Sequence, residues 1–390
     1  MFDSYIEDLQ KAQRPVLLIG GGVRSAGAVE LVREIGETLK IPCIPTWNAV
    51  DVFTNDYPYY RGRIGTYGTR FGNFTIQNSD LVLALGCRFS GRITGGRVDS
   101  FARGAKIYAV DVDKAQLENS AIKIHMPICM DAKQFLENLA LRDAFDFSWW
   151  LTLTKAWMDK YPVVLPEYYE EKNFVHPYVF MKELSYKLTK DDIIVADCGG
   201  NVVVTYQAFE TKWGQRLISS HGNSPMGFSF AGAIGAALAR PDKRVICLIG
   251  DGGFNMNIQE LQTIKNYGIK NLKVFIMNNH IYGMTRQFQN VNIGGRWEAS
   301  GPKGYNPPDF KEIIKAYGIK FWRLFNKWEG EFGIKGVLEE AVAVICDVDM
   351  GEFCEYKPRI SGWTPIEDME PLLPLEELKS NMFIPVLREK

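Results

Sequence analysis

The first part of the chain alternates short apolar runs with amphipathic segments. The apolar runs cover residues 15–19, 41–45, 81–85 and 107–110. A Gly20-Gly21-Gly22 turn follows the first run, and residues 29–39 then repeat apolar positions at helical spacing. The segments between the runs are long enough to form crossover helices, which favours a parallel sheet. We therefore predict an α/β domain over residues 1–142.

A second α/β pattern follows a stretch that is rich in aromatic and charged residues. Residues 143–177 contain no clean strand, and we interpret them as a linker that is first helical and then extended. A helix is predicted around residues 179–188. The strands predicted after it cover residues 193–196, 245–249, 274–277 and 344–348. The pattern predicts a second domain over residues 178–352, so the fold class is α/β with two parallel-sheet domains.

The last segment, residues 353–390, is predicted to be an irregular C-terminal tail. Prolines interrupt it at Pro358, Pro365, Pro371, Pro374 and Pro385. Because proline cannot continue a helix, the tail cannot be one long helix and is expected to lie over another part of the molecule. The sequence leaves open whether it covers an active site or is only a packed tail.

Composition limits the classes of partner. The 390 residues are too many for one ordinary core, and 45 basic against 46 acidic residues leave no excess charge to attract nucleic acid or an anionic membrane. The start of the chain lacks a basic stretch followed by an apolar one, and no run of uncharged apolar residues is long enough to span a membrane. We predict a cytoplasmic protein that binds neither nucleic acid nor membrane.

The most informative motif joins the ends of two predicted strands. Gly250-Asp251-Gly252-Gly253 follows one buried strand and opens a helix, and 25 residues separate Gly252 from the Asn278-Asn279 pair, which ends the next strand. In a parallel α/β sheet two such strand ends lie side by side at the edge where ligands bind. We therefore expect Asp251 and Asn279 to face one cavity.

These residue types suit a divalent cation that carries a diphosphate. A carboxylate and an amide oxygen are hard ligands, and phosphate oxygens complete a shell of about six oxygens at roughly 2.1 Å from Mg²⁺. Glycines beside Asp251 let the backbone approach the diphosphate, and a helix N-terminus offers it free N–H groups. Gly-Asp-Gly is also a common turn sequence, so a strand-to-helix turn and an Asn-rich turn are the alternative interpretation.

The spacing of GDG and NN resembles the signature of thiamine diphosphate enzymes. The stretches around it, residues 256–261 and 282–289, are similar to acetolactate synthase in particular. The resemblance implies a Rossmann-like middle domain followed by a domain that binds the diphosphate of the cofactor. It also implies that Mg²⁺ is bound by the side chains of Asp251 and Asn279 and by the backbone carbonyl of Ile281.

The resemblance assigns further residues to the cofactor. The residues implied to bind it are Gly199, Gly200, Asn201, Gly222, Asn223, Met226, Gly250, Asp251, Gly252, Gly253, Asn279, Ile281, Tyr282, Gly283 and Met284. The family usually has Gln and His where this chain has Gly200 and Asn201. Met226 stands where a large apolar residue forces the cofactor into a bent shape, which brings its amine next to thiazolium C2 and makes proton removal intramolecular. Met226 could instead be a core residue.

Two histidines fall inside the motif segments. His221 and His280 could move protons during the reaction, because histidine titrates near neutral pH. With Met226 they form the predicted catalytic set. A hydrogen-bonded loop histidine is the alternative for each of them.

The first domain resembles the middle domain of acetolactate synthase, whose relatives often hold FAD without using it for redox chemistry. The residues that fall at the flavin nucleotide are residues 65–69, Arg88, Asp111, Asp113 and Asp131. Ser90 and Gly91 depart from the acidic residues that FAD-binding members usually carry, and many relatives have an empty or ADP-binding middle domain. FAD is thus a possible second cofactor beside thiamine diphosphate and Mg²⁺.

Nothing in the sequence resembles the family's pyrimidine-binding domain, which supplies a glutamate to the cofactor. We therefore expect this chain to be the larger subunit of a split enzyme, with a separate subunit that provides the pyrimidine domain. The expected assembly is a hetero-oligomer that contains a homodimer of this chain. The alternative is that the chain is a truncated product. The predicted reaction is decarboxylation of a 2-oxo acid such as pyruvate, with ligation of the acyl unit to a 2-oxo acid, an aldehyde or a keto sugar. A simple 2-oxo acid decarboxylase and a non-catalytic cofactor- or nucleotide-binding protein are the other candidates.

Overall fold

The chain folds into two compact units in the computed structural model, which describes residues 2–139 and 145–388. Unit 1 combines Met1–Val163 with Lys357–Lys390, and unit 2 comprises Val164–Tyr356. Each unit is built around one parallel sheet. The predicted fold class, α/β with two parallel-sheet domains, is confirmed.

The sheet of unit 1 has five strands among the described residues. They are β1 Pro15–Ile19, β2 Cys43–Pro45, β3 Leu81–Leu85, β4 Lys106–Asp111 and β5 Met126–Cys129, in the spatial order β2-β1-β3-β4-β5. Every residue of β1 and β3 is buried. Helices cover both faces of such a sheet, so its strands are continuous apolar runs, and this is why four of the five were predictable.

The helices of unit 1 that precede the tail follow the predicted alternation with the strands. They are α1 Phe2–Lys11, α2 Gly22–Ser25, α3 Val29–Leu39, α4 Arg70–Gln77, α5 Gly91–Thr94, α6 Lys114–Glu118, α7 Ala132–Asn138 and α8 Ser148–Lys160, with short 3-10 turns at Trp47–Ala49 and Val98–Ser100. Helix α3 buries Val32, Ile35 and Leu39 at helical spacing, which is the amphipathic pattern of the sequence.

The sheet of unit 2 has six strands among the described residues. They are β6 Ile193–Ala196, β7 Arg216–Ile218, β8 Val245–Gly250, β9 Leu272–Asn278, β10 Lys320–Leu324 and β11 Val344–Asp349, in the spatial order β10-β11-β9-β8-β6-β7. The four predicted strands form the centre of the sheet, and β7 and β10 lie at its two edges. The edge strands were missed because they are short and carry charged residues, which is common where a strand faces solvent.

The helices of unit 2 lie between these strands. They are α9 Pro177–Lys187, α10 Gly199–Ala208, α11 Phe228–Ala239, α12 Asp251–Met256, α13 Leu261–Tyr267, α14 Gly283–Asn292, α15 Phe310–Ala316 and α16 Lys327–Glu339, with 3-10 turns at Pro166–Glu170, Ile258–Glu260 and Glu298–Ser300. The helix that the sequence predicts after β8 is thus two helices, because a 3-10 turn interrupts it after Asn257.

The division into units differs from the predicted domain boundaries in the segment read as a linker. Helix α8 lies within residues 143–177, yet it belongs to unit 1, where Trp150 and Trp157 are buried in the hydrophobic core. The indole nitrogen of Trp150 donates to the carbonyl of Pro15 in β1 at 3.2 Å. The aromatic composition of this stretch therefore reflects core packing in α8. Residues 143 and 144 lie outside the described part of the chain.

The predicted tail is also divided between the units. Residues 353–356 belong to unit 2, whereas residues 357–390 return to unit 1 and include the short helix α17, Leu375–Ser380. The buried side chains of Ile366 and Leu378 join the core of unit 1. Asn73 donates to the carbonyl of Ile366 at 2.8 Å, which ties the tail to α4. The described residues of the tail that follow Tyr356 are therefore packed against the rest of unit 1.

No helix in the described residues is long and apolar enough to cross a membrane.

We predict that removal of one buried carboxylate in the tail destabilises the protein. Glu367 is fully buried, lies 2.8 Å from the guanidinium of Arg103 and accepts a hydrogen bond from Gln77. The change Glu367→Ala leaves a largely buried arginine without its carboxylate, so it should lower the free energy of unfolding by about 3 kcal/mol. Denaturant unfolding measures this, and Glu376→Ala, which removes an 84% exposed carboxylate in the same tail, is the control. Equal effects of the two changes on the free energy of unfolding would contradict the prediction that the buried contact of Glu367 is stabilising.

We also predict a loss of stability in mild acid through His176. Its ring stacks on Tyr168 with 4.3 Å between ring centroids, and burial lowers the pKa of His176 to about 4 despite the nearby carboxylate of Glu171. The unfolded chain binds the proton near its ordinary pKa of about 6.5, so stability is full above that pH and falls as the pH decreases towards the folded pKa.

The change His176→Phe keeps an aromatic ring and removes this titration. The denaturation midpoint of the variant should therefore fall less than that of the wild type between about pH 7 and about pH 5. If both proteins lose the same stability over that window, His176 is not a source of acid sensitivity.

Candidate active site

Asp251 lies at the carboxyl end of β8, at the first position of α12. It is 3% exposed, and the hydroxyl of Tyr305 donates to its Oδ2 at 3.0 Å. Burial raises the pKa of Asp251 to about 6, although the hydrogen bond from Tyr305 acts in the opposite direction. A divalent cation next to this carboxylate would stabilise its charged form, so the site is suited to a metal.

The neighbouring strand brings Asn279 to the same place. Gly250 of β8 pairs with Met277 of β9, and Asn279 follows two residues later. The amide nitrogen of Asn279 donates to the carbonyl of Phe353 at 2.7 Å, which leaves its side-chain oxygen to act as a ligand. Asn278 has a different role, because its amide donates to Asp347 inside the sheet at 3.0 Å.

One cleft in unit 2 contains most of the predicted cofactor residues. The predicted residues on its wall are Gly199, Gly200, Asn201, Met226, Gly250, Asp251, Gly252, Gly253, Asn279, Ile281, Tyr282, Gly283 and Met284. Within the described residues no group of three or more His, Cys, Asp and Glu side chains could hold a metal ion. A cation in this cleft would therefore depend on Asp251, amide and carbonyl oxygens, and oxygens that its ligand supplies.

The glycines of the cleft leave space that a side chain would fill. A Cβ on Gly252 would lie 2.9 Å from the terminal carbon of Met226 and 2.8 Å from the ring of Tyr282. A Cβ on Gly253 would lie 2.3 Å from a carboxylate oxygen of Asp197. No atom lies within 4 Å of the Cβ position of Gly250. The backbone is therefore tightly packed on one side of the turn and open on the other, as a cradle for a diphosphate requires.

Met226 is held over this turn by the loop before α11. Gly227 has a φ of +89°, and its N–H donates to the buried carboxylate of Asp197 at 3.1 Å. The N–H of Ser229 donates to the other oxygen of Asp197 at 2.9 Å, and Asn257 donates to the carbonyl of Gly227 at 2.9 Å. These bonds fix the loop, and the end of Met226 packs over Gly252.

Four predicted residues do not line the cleft: His221, Gly222, Asn223 and His280. The ring of His221 packs edge-on against Tyr206 with 4.5 Å between centroids. Nε2 of His280 lies 3.2 Å from a carboxylate oxygen of Asp349, and this contact raises the pKa of His280. His280 also has a φ of +59°, so it forms the sharp turn between Asn279 and Ile281.

Several residues of the cleft were missed by sequence reasoning. Phe353 and Tyr356 line the cleft, and Tyr305 contacts Asp251 from outside its wall. All three come from loops outside the two motifs, and no periodicity or motif marks them. Asp197 lies just before Gly199, Gly200 and Asn201, which were predicted to bind the cofactor, and its carboxylate organises the loop of Met226.

Several residues of unit 1 that were predicted at a flavin have local structural roles. Asp113 accepts hydrogen bonds from the backbone at the start of α6, and Asp131 does the same for α7. Asp111 accepts from the N–H of Asp113 at 2.9 Å. A Cβ on Gly65 would lie 2.0 Å from the carbonyl of Arg92. Helix capping accounts for Asp113 and Asp131, and close packing accounts for the glycine at position 65.

Comparisons with known proteins find similarity in both units. A family model described as "Thiamine pyrophosphate enzyme, C-terminal TPP binding domain" matches residues 197–348, and one described as "Thiamine pyrophosphate enzyme, central domain" matches residues 3–139. The chain is 34% identical over 355 residues to a "Probable acetolactate synthase large subunit" of Methanococcus aeolicus, over 86% of this chain and 57% of that protein. It is 30% identical over 352 residues to the "Acetolactate synthase isozyme 2 large subunit" of Escherichia coli (strain K12), over 90% of this chain and 62% of that protein.

The chain thus spans somewhat more than half the length of these curated relatives. A further relative, the "Probable acetolactate synthase large subunit" of Methanocaldococcus jannaschii, is 34% identical over 344 residues and is covered to 56% of its length. The matched region of the C-terminal model contains Asp251, Asn279 and the whole turn between β8 and α12.

We predict that Tyr305 positions the buried carboxylate for a cation. The change Tyr305→Phe keeps the ring, which packs on Tyr282 with 4.3 Å between centroids, and removes the donor to Asp251. Because a partner that orients a metal ligand typically contributes about 10- to 100-fold in affinity, the variant should bind Mg²⁺ with diphosphate more weakly by that factor. Calorimetry measures this, with Tyr267→Phe, a 68% exposed tyrosine, as the control. Unchanged affinity in Tyr305→Phe would show that the hydroxyl does not position Asp251.

Proposed function

The chain belongs to the thiamine pyrophosphate enzyme family, since the central and C-terminal domains of that family both match it, and we propose that it is a carboligase of the acetolactate synthase type. The proposed reaction removes CO₂ from a 2-oxo acid, for which pyruvate is our choice, and joins the acyl unit to a carbonyl acceptor. The acceptor is a 2-oxo acid, an aldehyde or a keto sugar. The observation that carries the proposal is the placement of Asp251 and Asn279 on one cleft at neighbouring strand ends.

The donor set of the cleft fits thiamine diphosphate and Mg²⁺. Asp251, the side-chain oxygen of Asn279 and the carbonyl of Ile281 would hold the cation, and the glycine turn beside Asp251 would admit the diphosphate. When bound, thiamine diphosphate supplies a nucleophilic carbon and takes up the electrons released by decarboxylation. Met226 would support the bent cofactor from below.

The two predicted catalytic histidines receive different roles in this proposal. His280 is a positioning residue, because its contact with Asp349 holds the turn that carries Asn279 and Ile281. His221 stays a candidate for proton transfer to the acceptor, and its packing against Tyr206 would orient the ring. Neither histidine is needed for metal binding in this arrangement.

We further propose that a separate subunit binds the pyrimidine ring of the cofactor. No glutamate occurs among the described residues that line the cleft. In this proposal the activating carboxylate comes from the separate subunit. The proposed assembly is a homodimer of this chain within a hetero-oligomer, located in the cytoplasm. The names of the relatives, which call them large subunits, are in keeping with a partner chain.

FAD is not part of the proposed chemistry. The resemblance of unit 1 to FAD-binding relatives supports FAD as a second cofactor. Asp113 and Asp131 cap helices, so these two residues do not require a flavin to explain them. It stays a prediction.

The test compares cofactor binding and product formation in matched variants. The wild type and Asp242→Asn, which changes a 59% exposed carboxylate, should bind thiamine diphosphate with Mg²⁺ equally well. Asp251→Asn keeps the shape of the side chain and removes the charge that binds the cation, so we expect at least a 100-fold loss of affinity, because metal affinity in such sites depends on ligand charge.

Activity is then measured with pyruvate and each acceptor class, with and without a candidate pyrimidine-domain protein. The proposal requires CO₂ release and a carboligation product when both chains are present. An aldehyde as the sole product would identify a simple decarboxylase instead. Failure of the wild type to bind thiamine diphosphate under every condition would favour the non-catalytic alternative.

A further inference from the structure

A short segment after β11 crosses the cleft of unit 2. This capping segment, residues 352–356, is fastened to α14 at both ends. Glu352 forms an ion pair with Arg286 at 2.7 Å, and the carbonyl of Tyr356 accepts from Gln287 at 3.3 Å. Between these ends the carbonyl of Phe353 accepts from the amide of Asn279 at 2.7 Å. The capping segment therefore contacts a proposed metal ligand directly.

Aromatic packing fixes the segment in this position. The ring of Phe353 lies edge-on to His176 with 5.3 Å between centroids, and edge-on to Tyr356 with 5.6 Å between centroids. Tyr356 is 4% exposed, and both aromatic residues line the cleft. A side chain that is buried this deeply has few alternative positions, so its hydroxyl has a defined place.

The hydroxyl of Tyr356 lies between two glycines of the cleft. A Cβ on Gly200, near the start of α10, would lie 2.0 Å from the hydroxyl oxygen, and a Cβ on Gly283, at the start of α14, would lie 2.3 Å from it. Tyrosine therefore fits only because both positions are glycine. Gly200 is one of two positions in this loop, with Asn201, at which the chain departs from the residues usual in the family that it resembles.

The hydroxyl of Tyr356 is suited to bind an anion. A tyrosine hydroxyl can donate a hydrogen bond to a phosphate oxygen, and hydrogen bonds to charged acceptors are stronger than those to neutral ones. The same cleft contains Asp251 and Asn279, so a diphosphate that shares a cation with them would come within reach of the capping segment. Phe353 uses its carbonyl, which an anion would repel, on the amide of Asn279.

We propose that the capping segment is part of the cofactor site, in which Tyr356 donates its hydroxyl to the diphosphate and Phe353 orients Asn279 towards the cation. This inference rests on the proposed function, because it presumes that a diphosphate occupies the cleft. It adds a binding residue that neither motif contains and gives the segment after the last strand a role in cofactor binding.

The test measures binding of inorganic diphosphate with Mg²⁺, and of thiamine diphosphate with Mg²⁺, by calorimetry on the full chain. Tyr356→Phe keeps the ring and removes only the donor, so its affinity for both ligands should be roughly 10- to 100-fold weaker than that of the wild type. Tyr267→Phe, at an exposed position, should bind as the wild type does. The unfolding temperature of ligand-free Tyr356→Phe should match the wild type, which separates lost binding from lost folding.

Three outcomes decide between the inference and the proposed function. If the wild type binds neither ligand, with or without a pyrimidine-domain partner, the proposed function fails and the inference fails with it. If the wild type binds and Tyr356→Phe binds equally well, only the inference is overturned. Tighter binding by Tyr356→Phe would also overturn it, because the tyrosine would then be a barrier to the ligand.

A second pair of variants tests the contact between Tyr356 and Gly200. Gly200→Ala places a Cβ against the hydroxyl, so it should displace Tyr356 and weaken diphosphate binding in the wild-type background. In the Tyr356→Ala background the same change should have little further effect, because the side chain that it displaces is already absent. Equal losses in both backgrounds would show that the two positions act independently and would contradict the proposed geometry.

Discussion

The site depends on the parallel pairing of β8 with β9 in a single register. Gly250 lies opposite Met277, so the residues that follow the two strands, Asp251 and Asn279, emerge side by side at the carboxyl edge of the sheet. A shift by one residue would turn every side chain of β9 to the other face and separate the two polar groups. Both strands are almost entirely buried, so a shifted register would also disturb their packing.

Burial also explains how much of the fold the sequence predicts. Central strands such as β1, β8 and β9 are continuous apolar runs, because helices cover both faces of their sheets. Edge strands such as β7 and β10 carry charges and resemble loops. Helix α8 was read as part of a linker, because its tryptophans give no clear periodicity until the core that receives them is known.

The site could be predicted only where the chemistry is local. Asp251 and Asn279 belong to motifs whose spacing follows from the length of one strand-helix-strand unit, so a resemblance to a family was enough to place them. Tyr305 contacts Asp251 and Tyr356 lines the cleft through contacts between residues that are distant along the chain, and no pattern in their own neighbourhoods indicates it. His280 shows the opposite case, since this residue lies inside a motif but contacts Asp349 and does not line the cleft.

The central claim is that Asp251 and Asn279 bind one cation that carries a diphosphate. The most direct measurement is a crystal structure of the chain, with its partner if binding needs one, grown with thiamine diphosphate and Mg²⁺. We predict a cation at about 2.1 Å from an oxygen of Asp251 and from the side-chain oxygen of Asn279, with diphosphate oxygens completing its shell. A cation bound elsewhere, or a diphosphate that leaves either side chain out of contact with the metal, would contradict the account.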